Sequence, residues 1–448
     1  MNDTIVAIST PKGFGGIGVV RLSGPTTFFI GQKVFSTTVK KPKTVYTGYI
    51  FNPDTKERID TGIAIYFKAP HSYTGEDVFE LQMHGGVKNL ELVVKILIQL
   101  GARLAKRGEF TRRAFLNGKL DLIEAEAVIE LIEAKTDKVV KVAAGRLFGG
   151  ISNKIFEIKK RLLYTISAIE GAIDFPFDVE ALDTGQLEKQ ITDVLNLVKS
   201  LLLTYKTGKR IEEGTKVVIA GRTNVGKSTL LNALLKFDRA IVSKIPGTTR
   251  DTVEEMIDFF GIPVRFIDTA GVRETKDVIE VLGKERSVKA IQQGDIILFM
   301  FDASEILTAE DKKFAKLTDG KDRIIVLNKT DLPAKLTIKE LKSLFKNEDI
   351  IQISALKKKG IEVLEQIIYD KILPKETETF LITTGREKNC LKAAAKHLEK
   401  AKELAGSGRD ELVSEELKEV IVLLGMLTGE KVSTEILDTI FSRFCIGK

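Results

Sequence analysis

One short segment constrains the fold of this chain more than any other: a glycine-rich turn between an apolar strand and a helix. Gly221, Gly226, Lys227 and Ser228 match G-x-x-x-x-G-K-[ST], directly after KVVIAG and before STLLNALLK. In that setting the loop amides and the helix N-terminus hold phosphate groups, the lysine reaches the terminal phosphates, and the serine ligates Mg²⁺. The four positions match by chance in roughly a few per cent of chains this long, so further motifs have to support the assignment.

Three such motifs follow in the order that a guanine-nucleotide domain requires. Asp268-Thr269-Ala270-Gly271 ends a strand, where the carboxylate can hold the Mg²⁺ shell and the Gly271 amide can approach the γ-phosphate. Asn328-Lys329-Thr330-Asp331 ends another strand, and the Asp331 carboxylate can accept hydrogen bonds from two guanine N–H groups that adenine does not offer together. Ser354-Ala355-Leu356 would support the base with main-chain amides. The four motifs predict a GTPase.

The segment between the phosphate loop and DTAG is where a nucleotide-dependent switch is expected. In PGTTRD, Thr249 is the natural second Mg²⁺ ligand beside Ser228. Val272 stands after DTAG, where a glutamine often orients the attacking water, so hydrolysis needs another device or is very slow. The predicted nucleotide contacts are Asn224, Val225, Gly226, Lys227, Ser228, Thr229, Ser243, Thr248, Thr249, Asp268, Thr269, Ala270, Gly271, Asn328, Lys329, Asp331, Ser354, Ala355 and Leu356.

Charge is unevenly distributed along the chain. Residues 1–120 hold 17 Lys and Arg against 9 Asp and Glu, whereas the other 328 residues hold 52 against 53. A concentrated positive field attracts polyanions, so nucleic acid is a candidate partner, although such an excess also serves solubility. Two cysteines and three histidines are too few for a disulfide scaffold or a zinc site. No run is apolar enough for a membrane span, and MNDTIVAIST lacks the basic start of a signal peptide, which predicts a cytoplasmic protein.

The sequence pattern changes three times, which predicts several domains. Up to about residue 118 the chain is rich in glycine and β-branched residues, and a helical pattern follows to about residue 211. Strands and helices alternate over 212–374, and helical periodicity then resumes. The predicted fold is multidomain α/β and α+β: a P-loop GTPase α/β domain with a parallel sheet is inserted in an α-helical domain, and a β-rich α+β domain precedes both.

Four segments outside the nucleotide motifs resemble the tRNA-modification GTPases of the MnmE (TrmE) family. They are DTIVAISTPKGFGGIGVVRLSGP, SYTGEDVFELQMHGG, GEFTRRAFLNGKLDLIEAEAV and the closing ILDTIFSRFCIGK. The resemblance covers the whole chain, and FCIGK is its most specific part. The phosphate loop departs slightly from the family, with Thr223 where proline or lysine is more usual, and TTGREKN replaces a segment more often written TNxRQ or TNxRH.

The resemblance implies a domain arrangement and a reaction. It implies a folate-binding and dimerisation domain over 1–118, a helical domain in two parts, 119–211 and 375–448, and a GTPase domain over 212–374. Such proteins form homodimers and a heterotetramer with the FAD-dependent MnmG (GidA), and they act on tRNA. They build an aminomethyl or carboxymethylaminomethyl group on carbon 5 of the wobble uridine, with 5,10-methylene- or 5-formyl-tetrahydrofolate as the one-carbon source.

The resemblance also implies functional residues that the motifs alone do not assign. K⁺ would replace an arginine finger, and Glu280 would orient the attacking water through a bridging water, although Glu280 by itself reads as a solvated acid. The implied K⁺ ligands are Asn224, Ser243, Ile245 and Thr248; the catalytic set is Glu280, Thr249 and Gly271; the folate contacts are Arg21, Glu80, Lys119 and Lys448. A glutamate can pair with pterin N–H donors, and basic groups can meet the carboxylates of the ligand.

Three features and two rival functions remain open. Gly13, Gly15 and Gly18 fit G-x-G-x-x-G, but strand-like VVRL follows them, which argues against a Rossmann site. Cys445 is a nucleophile or a structural thiol, and His84 is a turn residue or a ligand contact. A ribosome-assembly GTPase of the Era or Der type is one rival. A nucleotide-binding scaffold is the other, and equal, near-zero hydrolysis rates in potassium and sodium salts would favour it.

Overall fold

The structure is a computed structural model that describes residues 3–11, 13–178, 183–235, 256–268, 288–346, 348–373 and 380–448. The chain forms two compact units, each assembled from separate segments. Unit 1 comprises Met1–Ile132, Arg146–Leu197 and Cys390–Lys448, and unit 2 comprises Glu133–Gly145 and Val198–Asn389. Among the described residues, no helix has both the length and the apolar character that crossing a bilayer requires.

Unit 1 contains a mixed six-stranded sheet in the order β3-β4-β5-β2-β1-β6. Neighbouring strands are antiparallel except β1 and β6, which are parallel. The strands are β1 Ile5–Ile8, β2 Gly15–Ser23, β3 Val45–Phe51, β4 Arg58–Phe67, β5 Val78–Gly85 and β6 Arg103–Leu104.

Two helices cover this sheet, because each carries apolar residues at helical spacing on one side. Leu90, Val93 and Leu97 of the second helix are buried with Phe79 and Leu81 of β5. The helices that begin in the first 200 residues are α1 Thr27–Lys33, α2 Val87–Gln99, α3 Glu109–Leu116, α4 Leu122–Glu133, α5 Asp137–Leu147, α6 Gly150–Asp174 and α7 Thr184–Glu212.

A buried charge network joins the start of the chain to the first helices of unit 1. The Arg113 side chain is only 1% exposed and donates to Asp3, Glu76 and Glu109 at 2.8 to 3.0 Å. Arg103 pairs with Asp3 and Glu109, each at 2.6 Å. Because a buried charge that loses its partner is strongly destabilising, this network holds the N-terminal segment, the loop before β5 and α3 in one arrangement.

We expect Glu109→Gln to destabilise unit 1 in a pH-dependent way. Burial raises the pKa of Glu109, but hydrogen bonds from Arg103, the Lys106 backbone and Arg113 outweigh it and lower the pKa from 4.5 to about 2. A lowered carboxyl pKa contributes stability above the unfolded value and loses it as pH falls towards the folded value. The free energy of unfolding of the variant should therefore be roughly 2–3 kcal/mol lower than that of wild type at pH 7. This difference should be smaller at pH 3.

Urea unfolding at pH 7, 4 and 3 measures this difference. Glu91→Gln is the matched control, because Glu91 makes an exposed ion pair with Lys88 on α2, and exposed pairs contribute little. A penalty for Glu109→Gln that stays constant across the three pH values would contradict the assignment.

The C-terminal tail of the chain packs against N-terminal residues of unit 1. The backbone N–H groups of Gly108 and Phe110 donate to the carbonyls of Cys445 and Lys448 at 3.4 and 3.2 Å. Gly447 has φ of +104°, and a Cβ there would lie 2.1 Å from the Ile8 carbonyl oxygen. Glycine is required at this position, so the tail has a defined path that ends at Lys448.

Unit 2 contains a second six-stranded sheet in the order β12-β11-β10-β7-β9-β8. Every residue of β10 and β11 is buried, as expected for central strands covered on both faces. The strands are β7 Thr215–Ala220, β8 Met256–Phe259, β9 Ile262–Asp268, β10 Ile296–Asp302, β11 Arg323–Asn328 and β12 Asp349–Gln352.

The edge strand β8 departs from the predicted parallel sheet, since it pairs with β9 in the antiparallel sense. Only Phe260 and Gly261 connect the two strands, both with positive φ, 52° and 83°. A two-residue turn of this kind can join only antiparallel neighbours. The other five strands are parallel, so the sheet is mixed at one edge.

The remaining labelled helices complete the two units. In unit 2 they are α8 Lys227–Leu234, α9 Ala309–Leu317, α10 Ile338–Leu344 and α11 Ile361–Ile372. Towards the C-terminus they are α12 Gly385–Leu404, α13 Asp410–Thr428 and α14 Thr434–Ser442.

Candidate functional site

The predicted nucleotide residues that the structure describes meet at one edge of the sheet of unit 2. Ile219 pairs with Asp268 across β7 and β9, and Asp302 pairs with Asn328 across β10 and β11. These residues lie at or next to the carboxyl ends of parallel strands, where open α/β sheets bind ligands. Ser354 follows β12 at the same edge.

The phosphate loop connects β7 to α8 through residues in unusual backbone conformations. Asn224 has φ of 63° and Gly226 has φ of 98°. Gly226 is the residue before α8 and provides no side-chain cap, so the first amides of the helix are available to an anion. A Cβ at Gly221 would lie 2.6 Å from the Met300 carbonyl oxygen, which explains the first glycine of the motif.

Lys227 is held at the loop by backbone carbonyls. Its Nζ donates to the carbonyl oxygens of Gly221 at 2.9 Å and Arg222 at 2.7 Å, and the residue is 6% exposed. Burial lowers the pKa of Lys227, and the charges of Asp268 and Glu310 partly oppose that shift. A desolvated cation with neutral partners gains energy when a polyphosphate arrives.

The two predicted magnesium-site groups of the described chain contact each other. Ser228 Oγ donates to Asp268 Oδ2 at 2.8 Å. A hydroxyl and a carboxylate oxygen are the ligand types that Mg²⁺ prefers, so this pair fits a Mg²⁺ site in which Ser228 is the direct ligand.

Asn328 ties the guanine motif to the phosphate loop. Its Nδ2 donates to the Val225 carbonyl at 2.8 Å, and its Oδ1 accepts from the Ala355 backbone N–H at 2.9 Å. The residue is 2% exposed, so the amide joins three loops from inside the protein. Sequence reasoning included Asn328 as a nucleotide contact, and the structure places its side chain in this loop-joining role.

Lys329 and Asp302 form a pair that sequence reasoning missed. Lys329 has φ of 61°, and its Nζ lies 2.6 Å from Asp302 Oδ2. Burial raises the pKa of Asp302, but hydrogen bonds from Lys329 and Ser304 outweigh it and lower the pKa overall. An acid at the end of the fully apolar run IILFMF was the available signal, since it has to find a partner there.

The Asp331 carboxylate, which the sequence predicts to bind guanine, is oriented by Ser354 of the last motif. Ser354 Oγ donates to Asp331 Oδ1 at 2.6 Å, and this hydrogen bond is the main cause of the lowered pKa of Asp331. The Asp331 carboxylate is therefore ionised, and Ser354 holds one of its two oxygens in place. Ser354 is 1% exposed, whereas Leu356 is 73% exposed beside it.

A second missed residue is Arg222 in the phosphate loop. Its guanidinium pairs with Glu305 at 2.9 Å and with Asp311 at 3.0 Å. Asp311 also caps α9 through Thr308, so the loop is anchored to that helix.

Two predicted site residues are exposed to solvent, and eight lie in segments that the structure does not describe. Thr229 lies exposed in the first turn of α8, and Asn224 is exposed in the loop. The following lie outside the described residues: Ser243, Ile245, Thr248, Thr249, Thr269, Ala270, Gly271 and Glu280.

A second cluster lies in unit 1 and brings together three of the four predicted folate residues. Arg21 Nε donates to Glu80 Oε1 at 2.7 Å across β2 and β5. The Arg21 guanidinium also lies over the rings of Tyr73 and Phe110, at 5.7 and 5.8 Å. Burial lowers the pKa of Lys448, the charge of Arg21 adds to this, and Glu80 opposes it. Lys448 therefore lies within electrostatic range of the Arg21–Glu80 pair.

Lys119 lies next to the loop that carries Tyr73. A Cβ at Gly75 would be 3.2 Å from Lys119 Cγ. The side chain also lines a cleft on the side of α3 and α4.

The structure shows the surroundings of the glycine run, His84 and Cys445, whose roles the sequence left open. The glycine run leads into β2 rather than a helix, as its strand-like VVRL predicts. His84 Nδ1 bonds the buried Asp60 at 2.7 Å and leaves the ring 72% exposed. Cys445 is exposed. Among the described residues, no cluster of three or more His, Cys, Asp or Glu side chains could hold a metal ion.

Comparison with known proteins finds relatives that match this chain over its whole length. The family model for the MnmE helical domain matches residues 122–445, and that for the GTP-binding protein TrmE N-terminus matches residues 4–119. The tRNA modification GTPases MnmE of Caldicellulosiruptor saccharolyticus and Aquifex aeolicus are each 44% identical to this chain. Both alignments cover 100% of this chain, together with 99% of the first relative and 100% of the second.

Among solved structures, Aquifex aeolicus Era bound to GDP and aluminium fluoride is 32% identical, covering 41% of this chain and 66% of that one, with a TM-score of 0.30. With both family models matched and full-length relatives at this identity, the chain belongs to the family of tRNA modification GTPases called MnmE.

Proposed function

We propose that this chain is a GTPase that uses GTP hydrolysis to drive modification of carbon 5 of the wobble uridine in certain tRNAs. Membership of the tRNA-modification GTPase family carries the hydrolase activity and its link to tRNA. The position of the modified atom, the folate donor and the partner enzyme belong to the proposal. One observation carries it furthest: the same chain holds a candidate guanine-nucleotide edge in unit 2 and a half-buried Arg21–Glu80–Lys448 cluster in unit 1.

In the GTPase part, each described residue has a defined task. Lys227 meets the terminal phosphates, Ser228 ligates Mg²⁺, and Asp331 reads the guanine edge. Bound Mg²⁺ neutralises charge on the phosphate oxygens. Thr249 as the second Mg²⁺ ligand, with the amide of Gly271, completes the proposed phosphate site.

Hydrolysis also needs a positive charge beside the phosphates and an oriented water. We assign the charge to K⁺ held by Asn224, Ser243, Ile245 and Thr248, and the water to Glu280. The exposed side chain of Asn224 at positive φ is available for this role. With K⁺ held by these residues, the GTPase domains of a homodimer would close on one another and the switch would become ordered.

In unit 1 we propose a site for 5,10-methylene- or 5-formyl-tetrahydrofolate. Arg21 holds Glu80 in a fixed position, so that the carboxylate can accept hydrogen bonds from the pterin. Lys448 and Lys119 supply positive charge for the acidic end of the folate. The one-carbon chemistry would be completed with the FAD-dependent MnmG in a heterotetramer, and hydrolysis would drive the domain movement.

The proposed arrangement along the chain has four parts. The folate-binding and dimerisation domain spans residues 1–118, the GTPase domain spans 212–374, and the helical domain is divided between 119–211 and 375–448. The two compact units, each built from separate segments, support an inserted GTPase domain.

Mass spectrometry of tRNA nucleosides tests the proposal. A strain lacking the gene should lose its carbon-5 aminomethyl-type wobble uridines, and wild type should restore them. Complementation with Asp331→Ala should fail, because guanine binding is lost. An unchanged nucleoside profile in the deletion strain would overturn the tRNA function and favour a role in ribosome assembly.

A further inference from the structure

The first part of unit 1 has an unusual distribution of charge along the chain. Residues 4–53 contain six Lys and Arg but no Asp or Glu. The whole chain has 62 acidic residues among 448, so its average would place about seven in a stretch of this length. Basic side chains in this stretch therefore have no acidic partner nearby in sequence.

Strand β3 forms one edge of the sheet, and the segment that precedes it runs back along its outer side. The Ser36 backbone N–H donates to the Tyr49 carbonyl at 3.0 Å, and the Thr37 hydroxyl donates to the Thr47 carbonyl at 2.7 Å. These bonds occupy backbone groups that an edge strand would otherwise offer to another strand. A partner at this edge therefore meets mainly side chains.

Exposed basic side chains lie at both ends of this edge, and together they define the β3 edge surface. They are Lys40, Lys41 and Lys43 before β3, and Lys33, Lys56 and Arg58 at its other end. A strand advances about 3.3 Å per residue, so the seven residues of β3 set the two groups about 20 Å apart.

Few carboxylates oppose these cations. Among the residues that the structure describes, none of the six basic side chains makes an ion pair. Asp54 and Glu57 lie in the turn beside the second group, whereas the connection that carries the first group has no acid. On the neighbouring strand side, Asp77 is already engaged by the Ala69 N–H at 2.9 Å and by the Tyr66 hydroxyl. The surface therefore has a net positive charge.

Two of the cations are held over exposed aromatic rings. The Arg58 guanidinium carbon lies 4.3 Å from the centre of the Tyr49 ring, and Lys33 Nζ lies 4.3 Å from the centre of the Phe29 ring. These rings are 38% and 62% exposed. A contact with a ring face fixes the position of a cation without cancelling its charge, so both cations remain available to an anion.

We propose that the β3 edge surface binds the sugar–phosphate backbone of tRNA. The inference rests on the proposed action on tRNA. Lysine and arginine contacts with phosphates position a nucleic acid without reading its bases. Two groups of cations about 20 Å apart suit a polyanion with regularly repeated charges, because a small anion would contact only one group.

Filter binding of the full-length protein to unmodified tRNA over a range of KCl concentrations tests the proposal. The triple variant Lys40→Gln, Lys41→Gln, Lys43→Gln removes three charges and keeps polar side chains of similar length. It should bind tRNA about tenfold more weakly or worse. The plot of log affinity against log salt should be less steep by about 2, since each phosphate contact contributes roughly 0.7 to 0.9 to that slope.

A second triple variant is the matched control, because it removes the same charge elsewhere in unit 1. It carries Lys95→Gln, Lys392→Gln and Lys396→Gln, at exposed positions on α2 and α12. Its tRNA affinity and salt slope should stay close to those of wild type. Both variants should keep the thermal unfolding and the GTP turnover of wild type, which shows that they fold.

The outcomes separate the surface from the proposed function. If both triple variants weaken tRNA binding equally, only net charge matters and the proposal is overturned. If the β3 variant binds tRNA as wild type does but loses self-association in sedimentation, the surface is an interface between copies of this chain, which also overturns it. If wild type itself does not bind tRNA, the inference fails, while the nucleoside profile of the deletion strain still decides whether the chain acts in tRNA modification.

Discussion

Replacing Asp331 with asparagine is expected to change the nucleotide preference of this chain from GTP to XTP. Ser354 fixes one carboxylate oxygen at 2.6 Å and keeps the group ionised, so in the proposed role the carboxylate accepts hydrogen bonds from the guanine ring N–H and amine. Asparagine offers one acceptor and one donor. The donor opposes the guanine amine but matches the carbonyl oxygen that xanthine has in its place.

We expect GTP affinity to fall about 100-fold or more, because a site built to satisfy particular hydrogen bonds rejects a mismatched partner strongly. XTP affinity should rise at the same time, and a competition titration with a fluorescent guanine nucleotide measures both. Ser354→Ala is the matched control, since it removes the hydrogen bond to Asp331 but keeps the carboxylate. It should weaken GTP binding by about tenfold or less without creating a preference for XTP. Equal loss of GTP and XTP binding in Asp331→Asn would contradict the assigned role.

The sequence was most informative where chemistry depends on local order. The phosphate loop and the guanine motif each need particular residues at fixed spacing beside a strand end, so their elements and their shared sheet edge could be predicted. In both motifs, the local backbone geometry at the strand end requires the residue types that the sequence has there.

Contacts between distant segments were harder to predict. Arg222 pairs with Glu305 and Asp311 more than 80 residues away, and no spacing rule indicates such partners. The alternation of strands and helices predicted a parallel sheet but did not indicate the edge strand β8, whose two-residue turn with positive φ requires the antiparallel sense. Lys119 was expected among the folate contacts. It also lines a cleft whose other side is formed by residues around the connection between α13 and α14, and the sequence alone does not bring these distant segments together.

Replacing Gly226 with alanine is the second change with a large expected effect. A Cβ there would lie 2.4 Å from Asn328 Nδ2. Asn328 cannot move aside cheaply, because it is 2% exposed and its amide holds both the Val225 carbonyl and the Ala355 N–H. The added methyl group should therefore displace the phosphate loop and the guanine loops together.

We expect Gly226→Ala to lower GTP affinity about 100-fold, since displacements of about 1 Å have effects of that size. The variant also incurs backbone strain, because its φ is 98°, so a control has to separate strain from the clash. Gly320→Ala provides it: Gly320 has φ of 71° in the same unit, and a Cβ there meets no atom within 4 Å. That variant should lose about 1 kcal/mol of stability and bind GTP normally. Nucleotide titration and thermal unfolding of both variants distinguish the causes, because equal losses of GTP affinity would mean that the contact between Gly226 and Asn328 does not organise the site.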